Sequence, residues 1–459
     1  MDTNIKNIYF LGIGGIGMSN LARYFLSQGK RVGGYDRTET PLTKELTAEG
    51  AAIHYTDDID LIPEFCKNPQ DTLIVYTPAI PSDSKEMNYF QTNGYELHKR
   101  AQILGEITKT SKALCCAGTH GKTTISSMLA HILKQSHLDC NAFLGGILKN
   151  YNSNLMLSEK SEFTVIEADE YDRSFHWLHP YMAVVSSVDP DHLDIYGTEE
   201  EYIKSFEKFT SLIIPGGALV LKHNTKLNPK TGKDVKVYTY SITHGDFRSE
   251  NIKIKDGEIF FDFITPKETI KNVELGVPIH INIENAIAAM AVAWLNGATA
   301  DELRGGIASY QGAKRRFDFH LKTDEIVFID DYAHHPRELA ASISSVKEIY
   351  PDKKVLGVFQ PHLYSRTRDF ADEFAQSLSL LDELILLDIY PAREKPIEGV
   401  TSKIILDKVT CPKTLCKKEE LISVLESKDF DVLLTLGAGD IDQMLDEIKE
   451  YLEERYISK

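Results

Sequence analysis

Residues 118–124 form a glycine-rich loop, Gly-Thr-His-Gly-Lys-Thr-Thr. Apolar residues at 112–116 predict a strand before the loop, and apolar positions at helical spacing predict a helix after it. Glycines in such a loop let backbone N–H groups approach phosphates at the positive end of the helix. Lys122 is then expected to reach the terminal phosphates, and the Thr123 hydroxyl to face Mg²⁺. The pattern predicts a nucleotide-binding α/β domain, with a plain connecting turn as the alternative.

Strand and helix patterns divide the 459 residues into three α/β segments, the number of domains that this length predicts. The first segment alternates strands and helices as a doubly wound parallel sheet does, and the second surrounds the glycine-rich loop. The third has four strand candidates, at 326–329, 355–359, 383–387 and 432–436. The predicted fold is α/β with an N-terminal Rossmann-like domain (1–107), a central P-loop ATPase-like domain (108–318) and a C-terminal Rossmann-like domain (319–459).

Composition and charge argue against several classes of protein. The formal net charge is −17 and no stretch of Lys or Arg forms a block, which argues against nucleic acid or an anionic membrane as a partner. No apolar run approaches 18 residues, and the N-terminus has no signal-peptide pattern, so no membrane insertion is expected. The six cysteines lack zinc-finger spacing and are interpreted as reduced thiols. We therefore expect a cytoplasmic protein.

A second glycine pattern, Gly12-x-Gly14-x-x-Gly17, follows the first predicted strand. With Asp36 after the next strand, it matches a dinucleotide fingerprint superficially. Its chemistry specifies a backbone nest for a diphosphate but not the nucleotide that carries it. A structural tight turn is the alternative interpretation.

Two acidic clusters follow predicted strands of the middle segment, at 167–172 and 189–194. Ligands of α/β proteins bind at the carboxyl ends of parallel strands, where these residues are expected. Carboxylate oxygens suit Mg²⁺ that bridges nucleotide phosphates. The alternative is a pair of solvated acidic loops, which the upstream phosphate loop makes less attractive. Two polar loops, 330–336 and 360–368, follow strands of the third segment in the same way.

Taken together, these motifs resemble the Mur ligases of peptidoglycan synthesis over nearly the whole chain. The matching stretches are GIGGIGMS at 12–19, GTHGKTT at 118–124, EADEYD at 167–172, DHLDIYG at 191–197, DDYAHHP at 330–336, QPHLYSRTRDF at 360–370 and LGAGDI at 436–441. The resemblance implies that ATP phosphorylates the lactyl carboxylate of UDP-N-acetylmuramate and that L-alanine attacks the acyl phosphate. It implies ATP and Mg²⁺ as cofactors, small-molecule substrates, and a monomer or weak homodimer.

The resemblance also implies roles for individual residues. Lys122, His192 and Arg366 are the expected catalytic residues. The expected ATP contacts are Gly118, Thr119, His120, Gly121, Lys122, Thr123, Thr124, Asn285, Arg316 and Asp331. The expected UDP-sugar contacts are Gly12, Gly14, Gly15, Ile16, Gly17 and Ser19. The expected amino-acid contacts are Tyr332, His334 and Arg366, and the expected metal ligands are Thr123, Glu167, His192 and Glu207.

Three positions depart from the family pattern. Cys116 stands where a common phosphate loop has glycine, Ile281 where family members often have histidine, and Leu363 where many have arginine. At position 207, several sister ligases carry a lysine that must form a carbamate to bind the second Mg²⁺. Here Glu207 already supplies a carboxylate.

Three alternative functions stay open at this point. A murein-recycling relative attaches a recovered tripeptide to the same UDP-sugar and shares nearly every motif. An NAD-dependent oxidoreductase would use the first glycine pattern but would leave Lys122, Glu167 and His192 without a role. A non-enzymatic UDP-sugar sensor would keep the first domain and would not need a phosphate and metal set.

Overall fold

The computed structural model describes residues 4–77, 80–255, 257–392 and 394–457, with the side chain of Asp194 outside that description. The chain divides into two compact units. The first contains residues 1–251, 261–273 and 284–310, and the second contains residues 252–260, 274–283 and 311–459. The three domain boundaries predicted from the sequence stay a prediction.

A five-stranded parallel sheet forms the N-terminal part of the first unit. Its strands are β1 (Asn7–Leu11), β2 (Arg31–Tyr35), β3 (Ala52–His54), β4 (Thr72–Tyr76) and β5 (Glu96–Lys99), in the order β3-β2-β1-β4-β5. Its helices are α1 (Ile16–Ser27), α2 (Pro41–Ala48), α3 (Lys85–Thr92) and α4 (Arg100–Thr108). Leu11 pairs with Tyr35 on one side and Tyr76 on the other. The loop after β1 therefore leaves the sheet at its centre, beside the ends of two neighbouring strands.

A seven-stranded sheet forms the rest of the core of this unit. Its strands are β6 (Lys112–Ala117), β7 (Asn141–Leu148), β8 (Ser153–Met156), β9 (Phe163–Glu167), β10 (Pro180–Val185), β11 (Ala218–Lys222) and β12 (Lys236–Tyr240). The order is β12-β11-β10-β6-β9-β7-β8, and the antiparallel β7–β8 pair is at one edge. The register pairs Cys116 with Glu167 and Ala117 with Val185. The glycine-rich loop and both acidic clusters therefore follow adjacent parallel strands.

Helices and a small sheet complete the middle of the chain. The helices are α5 (Lys122–Gln135), α6 (Leu193–Tyr196), α7 (Glu199–Ser211), α8 (His280–Leu295) and α9 (Ala300–Ala308). The three-stranded sheet consists of β13 (Arg248–Lys255), β14 (Glu258–Ile264) and β15 (Thr269–Glu274). Helix α5 buries its apolar stripe, including Ile125, Met128, Leu129, Ile132 and Leu133, as the sequence predicted.

The second unit is built on a six-stranded sheet in the order β16-β17-β21-β18-β19-β20. Its strands are β16 (Asp318–Lys322), β17 (Val327–Asp331), β18 (Val355–Phe359), β19 (Glu383–Leu386), β20 (Lys413–Leu415) and β21 (Val432–Leu436). Its helices are α10 (Pro336–Ile349), α11 (Tyr364–Asp369), α12 (Ala371–Leu378), α13 (Lys403–Leu406), α14 (Leu421–Glu426) and α15 (Leu445–Leu452). Strand β16 is antiparallel to β17 and the other pairs are parallel. The loops after β17, β21 and β18 consequently leave one edge of the sheet side by side.

Within the described ranges, no helix combines the length and apolarity that a membrane span needs.

Candidate active site

The glycine-rich loop lies between strand β6 and helix α5, as the sequence predicted. Gly118 has φ +140° and Gly121 has φ +83°, in the left-handed region that favours glycine. A Cβ atom on Gly118 would lie 2.1 Å from the Ser186 Oγ atom. Gly121 is the N-cap of α5 and supplies no side-chain cap, so the first amides of the helix stay available to an anion.

The loop after β10 holds the glycine-rich loop in place. Thr119 N donates to Ser187 O at 3.2 Å, and His120 N donates to Ser187 Oγ at 2.9 Å. The Thr119 hydroxyl donates to Asp189 O at 2.7 Å and lies 2.9 Å from the Tyr202 hydroxyl. These contacts anchor Thr119 and His120 of the glycine-rich loop to the loop after β10.

Lys122 makes a buried ion pair that the sequence did not predict. Its Nζ atom donates to Gly118 O at 2.7 Å and to Glu170 Oε1 at 2.9 Å, and it lies 2.8 Å from Glu170 Oε2. The Glu170 side chain is only 2% exposed, and within the described part of the chain its Oε2 atom accepts no well-directed hydrogen bond. Burial raises the pKa of the Glu170 carboxyl, and the Lys122 ammonium opposes that shift.

The first predicted metal ligands lie together at the start of α5. Thr123 Oγ1 donates to Glu167 Oε1 at 3.0 Å, and Gly145 N donates to Glu167 Oε2 at 2.9 Å. The described residues contain no group of three or more His, Cys, Asp or Glu side chains able to hold a metal by themselves. Mg²⁺ at phosphate sites takes one or two protein oxygens and completes its shell with phosphate and water. Thr123 and Glu167 fit that requirement.

His192 lies beside the Lys122–Glu170 pair, whereas Glu207 lies beside Lys230. His192 Nε2 is 4.0 Å from Glu170 Oε1, and its backbone is left-handed, with φ +52°. The nearest cation to the Glu207 carboxylate is Lys230, with Nζ 3.9 Å from Oε2. Among the described residues no hydrogen bond or ion pair joins Glu207 to His192, and the pairing of these two at a second metal stays a prediction.

The loop at 12–17 leads into a second helix that begins without a side-chain cap. Gly15 is the N-cap of α1 without a side-chain cap, so the first amides of that helix stay available. Gly14 N already donates to Asp36 Oδ2 at 2.8 Å. A Cβ atom on Gly17 would lie 2.3 Å from Arg100 Nη1, so a guanidinium borders this helix start. Ser19, a predicted UDP-sugar contact, is buried and donates to Ile16 O at 2.9 Å.

Two cations, one at the N-cap of α4 and one at its first position, pair with the acidic cluster at 167–172. Arg100 Nη2 is 3.3 Å from Asp169 Oδ2, and Lys99 Nζ is 2.7 Å from Asp172 Oδ2. The sequence analysis did not single out either cation, because each stands in an ordinary charged stretch. Their position is visible only once the first two sheets pack together.

Asn285, a predicted ATP contact, lies at the glycine-rich loop. Its Oδ1 atom is 2.9 Å from the position of a Cβ atom on Gly121. A side chain at position 121 would therefore displace Asn285 as well as strain the backbone.

The second unit contains the remaining predicted residues. The guanidinium of Arg316 lies over the Tyr332 ring, 5.3 Å from its centroid, and the Tyr332 and His334 rings are 5.3 Å apart. Arg366 Nη1 lies 3.5 Å from His362 Nδ1, and the His362 ring is 6.2 Å from that of His334. Tyr332 thus contacts His334 directly, and His362 lies between His334 and Arg366.

Burial changes the protonation behaviour of this cluster. It raises the pKa of Asp331, which the nearby Ser342 and Arg316 oppose, and it lowers the pKa of His334. Leu363, which stands where the family pattern has arginine, has φ +71°, a strained conformation for a leucine. The backbone before α11 therefore stores strain next to the predicted substrate contacts.

Three domain families match the chain in order. They are the Mur ligase family catalytic domain at residues 7–112, the Mur ligase middle domain at 116–293 and the Mur ligase glutamate ligase domain at 315–439. Together they span most of the sequence. The chain belongs to the Mur ligase family.

Within that family, the chain is similar to curated proteins named UDP-N-acetylmuramate–L-alanine ligase. The protein from Parabacteroides distasonis is 64% identical over 455 residues, which cover 98% of each chain. The protein from Phocaeicola vulgatus is 59% identical over 451 residues, again 98% of each chain. The crystal structure of UDP-N-acetylmuramate-alanine ligase from Thermotoga maritima matches with a TM-score of 0.83 and 26% identity, covering 98% of this chain and 99% of that one.

Proposed function

We propose that the protein joins L-alanine to the lactyl carboxylate of UDP-N-acetylmuramate in peptidoglycan precursor synthesis, with cleavage of ATP to ADP and phosphate. The observation that carries the proposal is 64% identity over 98% of both chains to a ligase of that name, together with the phosphate loop at Lys122. The arrangement of Thr123 and Glu167 at the same helix start agrees with it.

The proposed chemistry has two steps. A lactyl carboxylate oxygen attacks the γ-phosphorus of ATP, the bond to the bridging oxygen of ADP breaks, and an acyl phosphate forms. The nitrogen of L-alanine then attacks the acyl carbon, the carbon–oxygen bond to phosphate breaks, and the nitrogen loses a proton. The carboxylate is a poor electrophile until one of its oxygens can leave as part of phosphate. Transfer of the phosphoryl group in turn requires that the negative charge on the transferring oxygens be neutralised.

The residues of the first unit supply that neutralisation. Lys122 and the uncapped amides of α5 would bind the β- and γ-phosphates, and Gly118, Thr119, His120, Gly121 and Thr124 would form the rest of the loop contact. Thr123 and Glu167 would hold Mg²⁺, which would supply positive charge to the phosphate oxygens when bound. His192 and Glu207 stay proposed ligands of a second Mg²⁺.

The UDP-sugar is assigned to the loop at 12–17. The start of α1 would bind its diphosphate, and Arg100, which borders Gly17, would add a cation. Asp36 occupies the amide of Gly14, so the diphosphate is expected at the amides of Ile16 and Gly17.

In the second unit, Arg366 is proposed to bind the α-carboxylate of L-alanine. A guanidinium suits a carboxylate because it offers two parallel N–H donors. His334, kept neutral by burial, and Tyr332 would then approach the amino group. The ATP contacts assigned to Asn285, Arg316 and Asp331 stay predictions from the family resemblance. A cytoplasmic location is also proposed, and the six free cysteines support it.

Phosphate release tests the proposal. Protein, ATP, Mg²⁺ and UDP-N-acetylmuramate are mixed with L-alanine, with the tripeptide of the recycling reaction, or with neither. We expect release with L-alanine only. Efficient turnover with the tripeptide but not L-alanine would assign the recycling function instead, and binding of UDP-N-acetylmuramate without any turnover would indicate a sensor.

A further inference from the structure

The carboxylate of Glu170 contacts the lysine of the phosphate loop, and the proposed mechanism gives it no role. Both of its oxygens lie within 2.9 Å of Lys122 Nζ, and the side chain is almost fully buried. Its backbone is fixed separately, because the Tyr196 hydroxyl donates to Glu170 O. The side chain is therefore held against the catalytic lysine rather than required to anchor the loop.

The charge balance around Lys122 follows from these contacts. The ammonium is already paired with a buried carboxylate and with Gly118 O, so little positive charge is left for a phosphate. Glu167 adds a second carboxylate at the start of the same helix, where it accepts a hydrogen bond from the Thr123 hydroxyl. Charges at such distances interact strongly because the site is partly shielded from water.

The same site therefore interacts differently with a metal-free nucleotide and with a metal-complexed nucleotide. The metal-free polyphosphate brings its full negative charge towards two carboxylates and a lysine that is already neutralised. In the metal complex that charge is reduced, and the carboxylate of Glu167 becomes a ligand instead of a repelling group.

We propose that Glu170 is a positioning residue that holds Lys122 in the phosphate loop and makes the loop select metal-complexed over metal-free nucleotide. The inference rests on the proposed ATP-dependent function of this site. It predicts that removing the charge of Glu170 has opposite effects on two measurements, because Lys122 becomes freer to pair with phosphate but less well placed for catalysis.

The test is calorimetric binding of ADP to the full-length protein, with Mg²⁺ and with EDTA, in wild type and Glu170→Gln. The glutamine keeps an acceptor oxygen for Lys122 and removes the charge. We expect metal-free ADP to bind about tenfold more tightly to the variant, while the rate of ligation falls. General damage to the fold would weaken both. In a Lys122→Ala background, Glu170→Gln should tighten metal-free ADP binding by a different factor than in the wild-type background, because the two side chains act as a pair.

Three further variants complete the design. Glu170→Met, an apolar chain of similar length, is a second neutral variant if the glutamine variant does not fold. Glu170→Asp keeps the charge and should keep metal-free ADP binding weak. Glu162→Gln removes the exposed pair with Lys112, 2.7 Å apart, and should change neither measurement.

Unchanged or weaker binding of metal-free ADP to the neutral variants would overturn the proposal, as would a failure of both to fold, which would make Glu170 a structural residue. Failure of the proposed function itself looks different. In that case the wild-type protein binds no Mg²⁺–ADP or ligates nothing, whatever the variants do.

Discussion

Gly145→Ala is expected to displace the Glu167 carboxylate without disturbing the fold. A Cβ atom at position 145 would lie 2.4 Å from both Glu167 carboxylate oxygens, whereas ordinary contacts begin at 3.4 Å. The carboxylate must therefore move by about 1 Å, which a flexible side chain can do. The move breaks or stretches the hydrogen bonds from Gly145 N and Thr123 Oγ1, at a cost of at most about 3 kcal/mol in the free energy of unfolding.

The effect on metal binding should be larger than the effect on stability. Loss of the groups that orient a metal ligand typically costs 10–100-fold in metal affinity, so the Mg²⁺ concentration for half-maximal phosphate release should rise by about that factor. Gly305→Ala is the matched control, because that glycine is inside α9 with nothing within 4 Å of an added Cβ. The control should keep the wild-type Mg²⁺ profile. The same profile in a folded Gly145→Ala variant would refute Glu167 as a metal ligand.

Three other predictions follow from the same structure. Lys122→Ala should abolish ligation and leave UDP-N-acetylmuramate affinity unchanged in calorimetry. Loss of both activity and affinity would contradict the separation of the phosphate loop from the UDP-sugar site. Glu207→Ala should raise the Mg²⁺ requirement, and wild-type activity should not change when bicarbonate is depleted; a variant with wild-type Mg²⁺ kinetics would place Glu207 on the surface. Burial lowers the pKa of His131 to about 4, below its ordinary 6.5. Between pH 6.5 and pH 4 the unfolded chain therefore binds more protons than the folded one, and the free energy of unfolding falls as the pH falls through this range. The loss is at most about 3 kcal/mol, and melting midpoints from pH 7 to pH 4 should fall more steeply for wild type than for His131→Gln; parallel slopes would refute it.

The main strands of the fold were predictable because they are buried on both faces. The strands expected at 355–359 and 432–436 are confirmed as β18 and β21, which read as continuous apolar runs. Short strands and strands that contain glycine lack that signal. β20 has only three residues, and β7 contains two glycines, so neither stood out in the sequence.

The site was predictable only where a motif carries its chemistry locally. The loop at 118–121 lies between a strand and a helix as expected, because the apolar strand, the glycines and the helical pattern are all local in the sequence. The contact of Lys122 with Glu170 was not predictable, because Glu170 is 48 residues away in the sequence. It reaches the lysine through the pairing of β6 with β9. Arg100 was missed for the same reason, since its approach to Gly17 depends on how α4 packs against α1.

The most direct test of the proposed ligation follows one oxygen atom. UDP-N-acetylmuramate labelled with ¹⁸O in its lactyl carboxylate is incubated with the protein, ATP, Mg²⁺ and L-alanine, and the released phosphate and the UDP-sugar product are analysed by mass spectrometry. We predict one ¹⁸O atom in each phosphate released and an equal amount of L-alanyl product that retains the other, because the carboxylate oxygen that attacks ATP leaves with the phosphate. Phosphate without the label, or no L-alanyl product, would contradict ligation through an acyl phosphate.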